Sequence, residues 1–318
     1  MGNAASKRKT KAHTAVEKQS PTANQSQRFD GRDYHIEENS GYLLPNDDQE
    51  IDRLHEEHFV TKELLGCNIM AAGLKNLDFQ AGGLSILDVC CGPATWLCET
   101  SLEYPDCHFS GVDMCSLWPQ IIRPVNLSFT KANVLYGLPY PDKSFDFVQM
   151  RFVVLAFRTD EWPRVLSEIR RVLKDGGLFQ CIDLDMRVTT DAAGSSTNER
   201  QDALRLGQLI SQVESFCTSK RLDPTAGAKL DMWLGDAGMN ILQSEYREIP
   251  IGWGGPIGEA YLHIFRGVLD GLAPWMKRDL KITDEEYAHR MNQTAEYVVA
   301  SKAFIGLYAF LTQKPIDD

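Results

Sequence analysis

The sequence predicts an α/β fold: a mainly parallel sheet of seven strands, a helical N-terminal extension and a helical insertion near the C-terminus. Three observations predict it. Between residues 84 and 182, short apolar runs alternate with helical stretches, the pattern of strands paired through crossover helices. The first run ends in a turn of small residues, with an acid 21 positions after its glycine. Beyond residue 199 the pattern is mostly helical and only two strand-like runs interrupt it.

The elements follow in order. Residues 1–33 hold seven bases and three acids, a local +4 against −11 for the chain, so the body carries −15. Almost free of large apolar residues, they cannot offset their ordering entropy and are expected to be a disordered basic tail. Residues 34–318 form the folded domain, whose 43% apolar content is enough to bury a core and excludes collagenous, mucin-like and wholly disordered chains. Within it, 34–80 is read as an N-terminal cap. Asn46-Asp47-Asp48 with Glu50 marks a helix start. Ile51, Leu54, His55, Phe59 and Leu64-Leu65 carry the helix over about 48–72.

A core over 81–184 comes next. Its strands are expected at 84–89, 107–112, 125–130, 144–150 and 178–182, with helices at about 95–104 and 161–173. The second helix stops at Lys174-Asp175-Gly176-Gly177, a basic last turn followed by glycine. Helices are then expected over 199–220, 225–238, 256–272 and 284–302, and strands over 240–250 and 303–312. The last strand should pair antiparallel with its neighbours.

Composition narrows the partners. An acidic body argues against a general nucleic-acid binder, and no nucleic-acid partner is expected. The longest apolar run, Ala303 to Leu311, is far short of the about 20 residues that span a bilayer. The eight cysteines include no CxxC pair, which reads as reduced, buried thiols of an intracellular protein. His55-Glu56-Glu57-His58 lacks the HExxH order and a joining cysteine; it reads as a solvated helix face, and no metal site is expected. Met1-Gly2-Asn3-Ala4-Ala5-Ser6 fits the myristoylation pattern at Gly2. Lys7, Arg8, Lys9 and Lys11 supply the second signal that stable anchoring needs. A cytoplasmic protein held to an anionic membrane surface through residues 1–11 is the expectation. Nuclear import through Lys7-Arg8-Lys9 is the alternative.

The chemistry is expected in Ile86-Leu87-Asp88-Val89-Cys90-Cys91-Gly92-Pro93-Ala94-Thr95. Ligands of a parallel α/β sheet bind outside the carboxyl ends of its strands, by the first βα turn. The following helix offers free N–H groups to a carboxylate or phosphate. Asp113 suits a ribose diol. GxGxxG is absent, and Asp88 would repel a pyrophosphate but hold an ammonium. A ligand with ribose, ammonium and carboxylate fits better than a dinucleotide, and S-adenosylmethionine is such a ligand.

Ile86 to Thr95 resembles motif I of the class I methyltransferases. Leu138-Pro139-Tyr140-Pro141-Asp142-Lys143-Ser144-Phe145-Asp146-Phe147-Val148 resembles their strand-four region, and Leu173-Lys174-Asp175-Gly176-Gly177 the turn before strand five. The block Tyr42 to Leu54 and the closing Lys314-Pro315 resemble the fungal LaeA-like group. The resemblance covers about 34–315. It implies a seven-stranded, Rossmann-like class I sheet and S-adenosylmethionine as cofactor. Asp88, Cys90, Gly92 and Ala94 would line the methionyl end. Asp113 would take the ribose, Met114 would pack on the adenine, and Asn133, through its carbonyl oxygen, and Val134 would bound the adenine edge. Met150 and Arg151 would sit near the transferring methyl. Three positions depart from the family pattern: Cys90, Ala94 and Asn133.

Methyl transfer to a small metabolite or protein is therefore the expected activity. Candidate catalytic groups are Arg151, Asp183 and Asp185, with Tyr261 and His263 as further bases. Residues 256–302 would form a substrate lid, and the first helix, with Tyr42 and Arg53, would cover the cofactor cleft. Two other readings stand beside this one: a methyltransferase-fold regulatory or membrane-tethered adaptor with little turnover, and a dinucleotide-dependent oxidoreductase.

Overall fold

The first described residues form a hairpin, β1 (Ser26–Phe29) and β2 (Arg32–His35). It turns at Asp30-Gly31, both with positive φ (54° and 82°), the backbone a two-residue hairpin turn demands. The structure, a computed structural model, describes residues 26–37, 40–190 and 212–316. The tail assignment is thus corrected over 26–33. Phe29 and Tyr34 pack on Trp275, at ring centroids 5.4 and 5.7 Å away. Gly2 and the basic cluster at 7–11 lie outside the described residues.

Helix α1 (Asp48–Leu65) starts where Asp47 accepts the Glu50 N–H at 3.1 Å. The same carboxylate takes Arg32 through Nε (2.6 Å) and Nη2 (2.8 Å), so one side chain caps the helix and anchors the hairpin. The helix expected to reach 72 ends instead at Gly66, in the left-handed region, and a short α2 (Ala71–Asn76) follows.

The core strands are β3 (Ser85–Val89), β4 (His108–Asp113), β5 (Leu127–Lys131), β6 (Phe145–Arg151) and β7 (Leu173–Thr190). Helices α3 (Thr95–Glu103) and α4 (Trp162–Val172) connect them. β7 is far longer than expected. Leu173 already pairs with Phe145, residues 174–177 bulge out of register, and pairing resumes at Leu178. Residues 191–211, where part of the helix expected over 199–220 falls, lie outside the described residues; 212–219 are helical (α5). Then come α6 (Ala226–Asp236), β8 (Asn240–Pro250), α7 (Pro256–Leu280), α8 (Asp284–Ala300) and β9 (Ala303–Gln313).

The sheet order is β5-β4-β3-β6-β7-β9-β8. β9 runs antiparallel to both β7 and β8, and β3 to β7 pair in parallel, as the sequence predicts. Alternation along each strand divides the core into two layers. Leu87, Val89, Val148 and Met150 face α4 and α6; Ile86 and Phe147 face the side of α2, α3 and α7.

Candidate functional site

A cleft of about 1140 Å³, counted to its open mouth, lies beyond the carboxyl ends of β3, β4 and β6. Its floor is the turn after β3. Cys90, Gly92 and Ala94 take φ of 60°, 52° and 62°. Two non-glycine residues are held there in the left-handed region, at about 1–2 kcal/mol each. These are two of the positions that depart from the family pattern.

Asp88 follows from strand alternation, which sends it to the α1 side with Ile86. It is 4% exposed and lines the cleft. Among the described residues no group donates to its carboxyl. Burial pushes it up to about 7, with the Arg151 guanidinium acting against that and Asp113 adding to it. Asp113 ends β4. Its Oδ2 accepts the Gly92 N–H at 2.9 Å and its Oδ1 the Cys115 N–H at 2.8 Å, which fixes the floor to the next strand. Burial raises its pKa, and these N–H groups oppose the rise.

Of the expected cofactor residues, the structure brings together Asp88, Cys90, Gly92, Asp113, Met114, Asn133 and Val134, with Arg151 beside them. Two are placed elsewhere. Met150 is fully buried on the α4 face, because neighbours on a strand point to opposite faces. Ala94 is fully buried at the start of α3. The Asn133 side-chain oxygen accepts the Leu135 N–H at 2.9 Å and keeps a second lone pair, beside the amide NH₂, for a ligand.

The candidate bases also move. Asp183 is fully buried and accepts the Val153 and Leu184 N–H groups at 3.0 and 2.9 Å. Burial pushes it up to about 7, and those N–H groups counter the shift. Asp185 is paired with Arg187. Neither lines the cleft. His263 is exposed and bonded to Glu56 at 2.6 Å. Tyr261 is buried in a different cavity.

Tyr42, Leu54, His58 and Phe152 line the cleft and were not expected as site residues beyond Tyr42's covering role. The solvated-face reading of 55–58 is corrected: Glu57 and His58 are 4% and 1% exposed. Leu54 and His58 stand one turn apart on α1, a spacing that puts both on one face. Burial first, then Arg151, push His58 down to about 4, so the ring is neutral. Arg151 Nη2 can only donate, so His58 Nδ1 accepts it at 3.1 Å and the Nε2–H donates to Glu99 at 2.8 Å. Glu99 also receives Lys62 and the Asn68 amide, and falls to about 2. This chain ties α1 to α3 and holds Arg151 in the wall of the cleft. Arg53, expected over the cleft, instead pairs with Glu50 (2.7 Å) and Glu57 (3.2 Å) toward α7. Among the described residues no cluster of His, Cys, Asp or Glu could hold a metal.

The methyltransferase domain family matches residues 86–177. The N-methyltransferase verN of Clonostachys rogersoniana is 33% identical over 146 residues, 45% of this chain and 50% of that protein. The N-methyltransferase gliN of Aspergillus fumigatus is 27% identical over 221 residues, 68% of this chain and 74% of that one. The chain thus spans about half the length of the verN relative. Among solved structures, the geranyl diphosphate C-methyltransferase of Streptomyces coelicolor A3(2) shares 12% identity, covers 83% of this chain and 82% of its own, and aligns with a TM-score of 0.44. The family match falls on the stretch that carries β3 to β6 and the floor of the cleft.

Proposed function

We propose that the protein is an S-adenosylmethionine-dependent methyltransferase that binds its cofactor in the cleft beyond β3. The observation that carries this is the Asp88 carboxyl: buried, open to the cleft and without a protein donor. A buried carboxyl left unpartnered is costly, and a ligand ammonium would satisfy it. The same carboxyl disfavours a pyrophosphate, which argues against the dinucleotide oxidoreductase. Asp113 retains lone pairs for a ribose diol, and Met114, Val134 and Leu117 offer apolar surface to a base.

When bound, the cofactor supplies an activated methyl on a sulfonium. The residues of this chain bind it, orient it and exclude water. Arg151, held by neutral His58, lies in the cleft wall and favours the ionised form of the Asp88 carboxyl. Tyr42, Leu54 and Phe152 close the cleft and desolvate the reacting centre, so positioning is the main catalytic contribution. The upstream block from Tyr42 to Leu54 supports membership of the LaeA-like group, and membrane attachment through Gly2 belongs to the same proposal. A Gly2→Ala variant that distributes in cells like the wild type would remove the latter.

Isothermal titration with S-adenosylhomocysteine and with NAD tests the cofactor. The homocysteine analogue should bind and the dinucleotide should not. The reverse order of affinity would replace this reading with the oxidoreductase. Analogue binding without turnover of any acceptor would favour the adaptor.

A further inference from the structure

A second chamber lies on the far side of α1 from the cleft, between β7, α7 and α8. Its walls are apolar: Leu184, Met186, Phe265, Leu269, Val298 and Ile305. Four polar side chains line it: half-buried Glu214, and Thr294, Glu57 and Tyr261, each more than nine-tenths buried; the Thr294 hydroxyl already donates to the Arg290 carbonyl at 2.7 Å. Glu57 is 4% exposed and Tyr261 is 4% exposed. Glu57 Oε2 accepts Arg53 at 3.2 Å, and its Oε1 has no donor among the described residues. The Tyr261 hydroxyl has no hydrogen-bond partner there either. Neither atom is sealed off from accessible space, so each opens on the chamber it lines.

Glu57 and His58 are consecutive on α1, one on each side of the wall between chamber and cleft. The wall is rich in acid. Glu50 and Glu57 share the single Arg53 guanidinium, so two carboxylates beside the chamber stand against one cation. A ligand cation would redress that surplus. Burial, then Glu57, push the Tyr261 phenol well above its ordinary value, so it stays protonated and can donate or accept.

We propose that this chamber is a binding site for an apolar amine, its nitrogen held between Glu57 Oε1 and the Tyr261 hydroxyl and its hydrocarbon body against α7, α8 and β7. Neither the chamber nor its ligand class rests on the methyltransferase reading, since the wall of α1 separates it from the cleft. A protonated nitrogen gives Glu57 an ion pair together with the hydrogen bond, whereas an alcohol of equal shape gives the hydrogen bond alone. A carboxylic acid would meet Glu57 as a like charge and is excluded.

The test is titration calorimetry at pH 7.5 with phenethylamine and tryptamine, against 2-phenylethanol and tryptophol as neutral isosteres, on the full chain. At least one amine should bind, with its alcohol at least tenfold weaker. Glu57→Gln should erase the preference, and Tyr261→Phe, which keeps the ring, should weaken the amine about fivefold. Asp113→Ala, a change in the cleft, should leave amine binding intact. Equal binding of amine and alcohol, or no binding of either amine, overturns the proposal. S-adenosylhomocysteine is titrated in parallel. If it binds and the amines do not, only the chamber is wrong; if the amines bind and it does not, only the cofactor reading is.

Discussion

Asp88 makes the cofactor site sensitive to pH in a way that can be worked out. Its pKa, about 7 in the folded chain, lies above the ordinary 3.8. The stability tied to it is therefore fully present below about pH 4 and is lost as pH rises through about 7. In the ligand-free protein, the Tm of Asp88→Asn should gain on that of the wild type between pH 5 and pH 8. A cationic ligand prefers the ionised carboxyl, so wild-type affinity for S-adenosylhomocysteine should climb from pH 6 to 8. Its slope should approach about one log unit per pH unit below 7, and Asp88→Asn should be flat. Parallel profiles for the two proteins would remove the ammonium contact. Asp113→Ala loses a charge-assisted bond to the ligand and frees the Gly92 and Cys115 N–H groups. It should weaken the same ligand by about 1.5–3 kcal/mol with unchanged far-UV circular dichroism; wild-type affinity would take Asp113 out of the site. Sequence made Asp88 and Asp113 legible because both end short strands before turns. It did not make His58 legible, since a run of two histidines and two acids has no apolar signal. His58 is buried because α3 and the end of β6 close over it, Glu99 accepting its Nε2–H at 2.8 Å and Arg151 donating to its Nδ1 at 3.1 Å.

The hairpin and the α6–β7 contact carry the predictions at the scale of elements. Removing residues 1–25 should leave cofactor affinity and Tm unchanged. Removing 1–36 deletes Phe29, Tyr34 and the Arg32–Asp47 pair, exposing Trp275 and loosening the start of α1. That truncation should lower stability by about 2–4 kcal/mol, the scale of losing one buried aromatic, and weaken cofactor binding, because Tyr42 hangs from the same segment. A 1–36 truncation with the wild-type Tm and affinity would make the hairpin decorative. The hairpin was legible after all, in the dipeptide Asp30-Gly31, but the polar residues around it and the single Phe29 hid its strands. Against α6, Gly227 meets the β7 backbone: a Cβ there would lie 2.7 Å from the Leu184 carbonyl. Gly227→Ala should cost about 1–3 kcal/mol in urea denaturation, and a neutral result would mean that α6 can slide along the strand. β7 shows what sequence could not give. Its first residues read as a helix stop, and only pairing of Leu173 with Phe145 makes them strand.

For the molecule as a whole, ligand binding and folding are linked. S-adenosylhomocysteine at a hundredfold excess over its Kd should stabilise the chain by about 2.7 kcal/mol, a rise in Tm of about 4–5 °C for a domain of this size. No shift at that concentration would mean that the cleft does not take the ligand. The parallel order of β3 to β7 could be read from the sequence because helical stretches alternate with those runs, whereas the reversal of β9 came with the family resemblance. The way the two ends of the chain lock together could not be read. Tyr34 donates to the Gly271 carbonyl at 2.8 Å, across 237 residues, and Trp275 Nε1 to the Leu43 carbonyl at 3.0 Å, across 232. A protein is made from its N-terminus, and neither bond can exist until Gly271 and Trp275 have left the ribosome. The segment that roofs the cofactor cleft is thus synthesised more than 200 residues before the partners that hold it. Until then Phe29, Tyr34 and Leu44 have no α7 to cover them, so the nascent chain must keep these residues from other contacts through most of its translation.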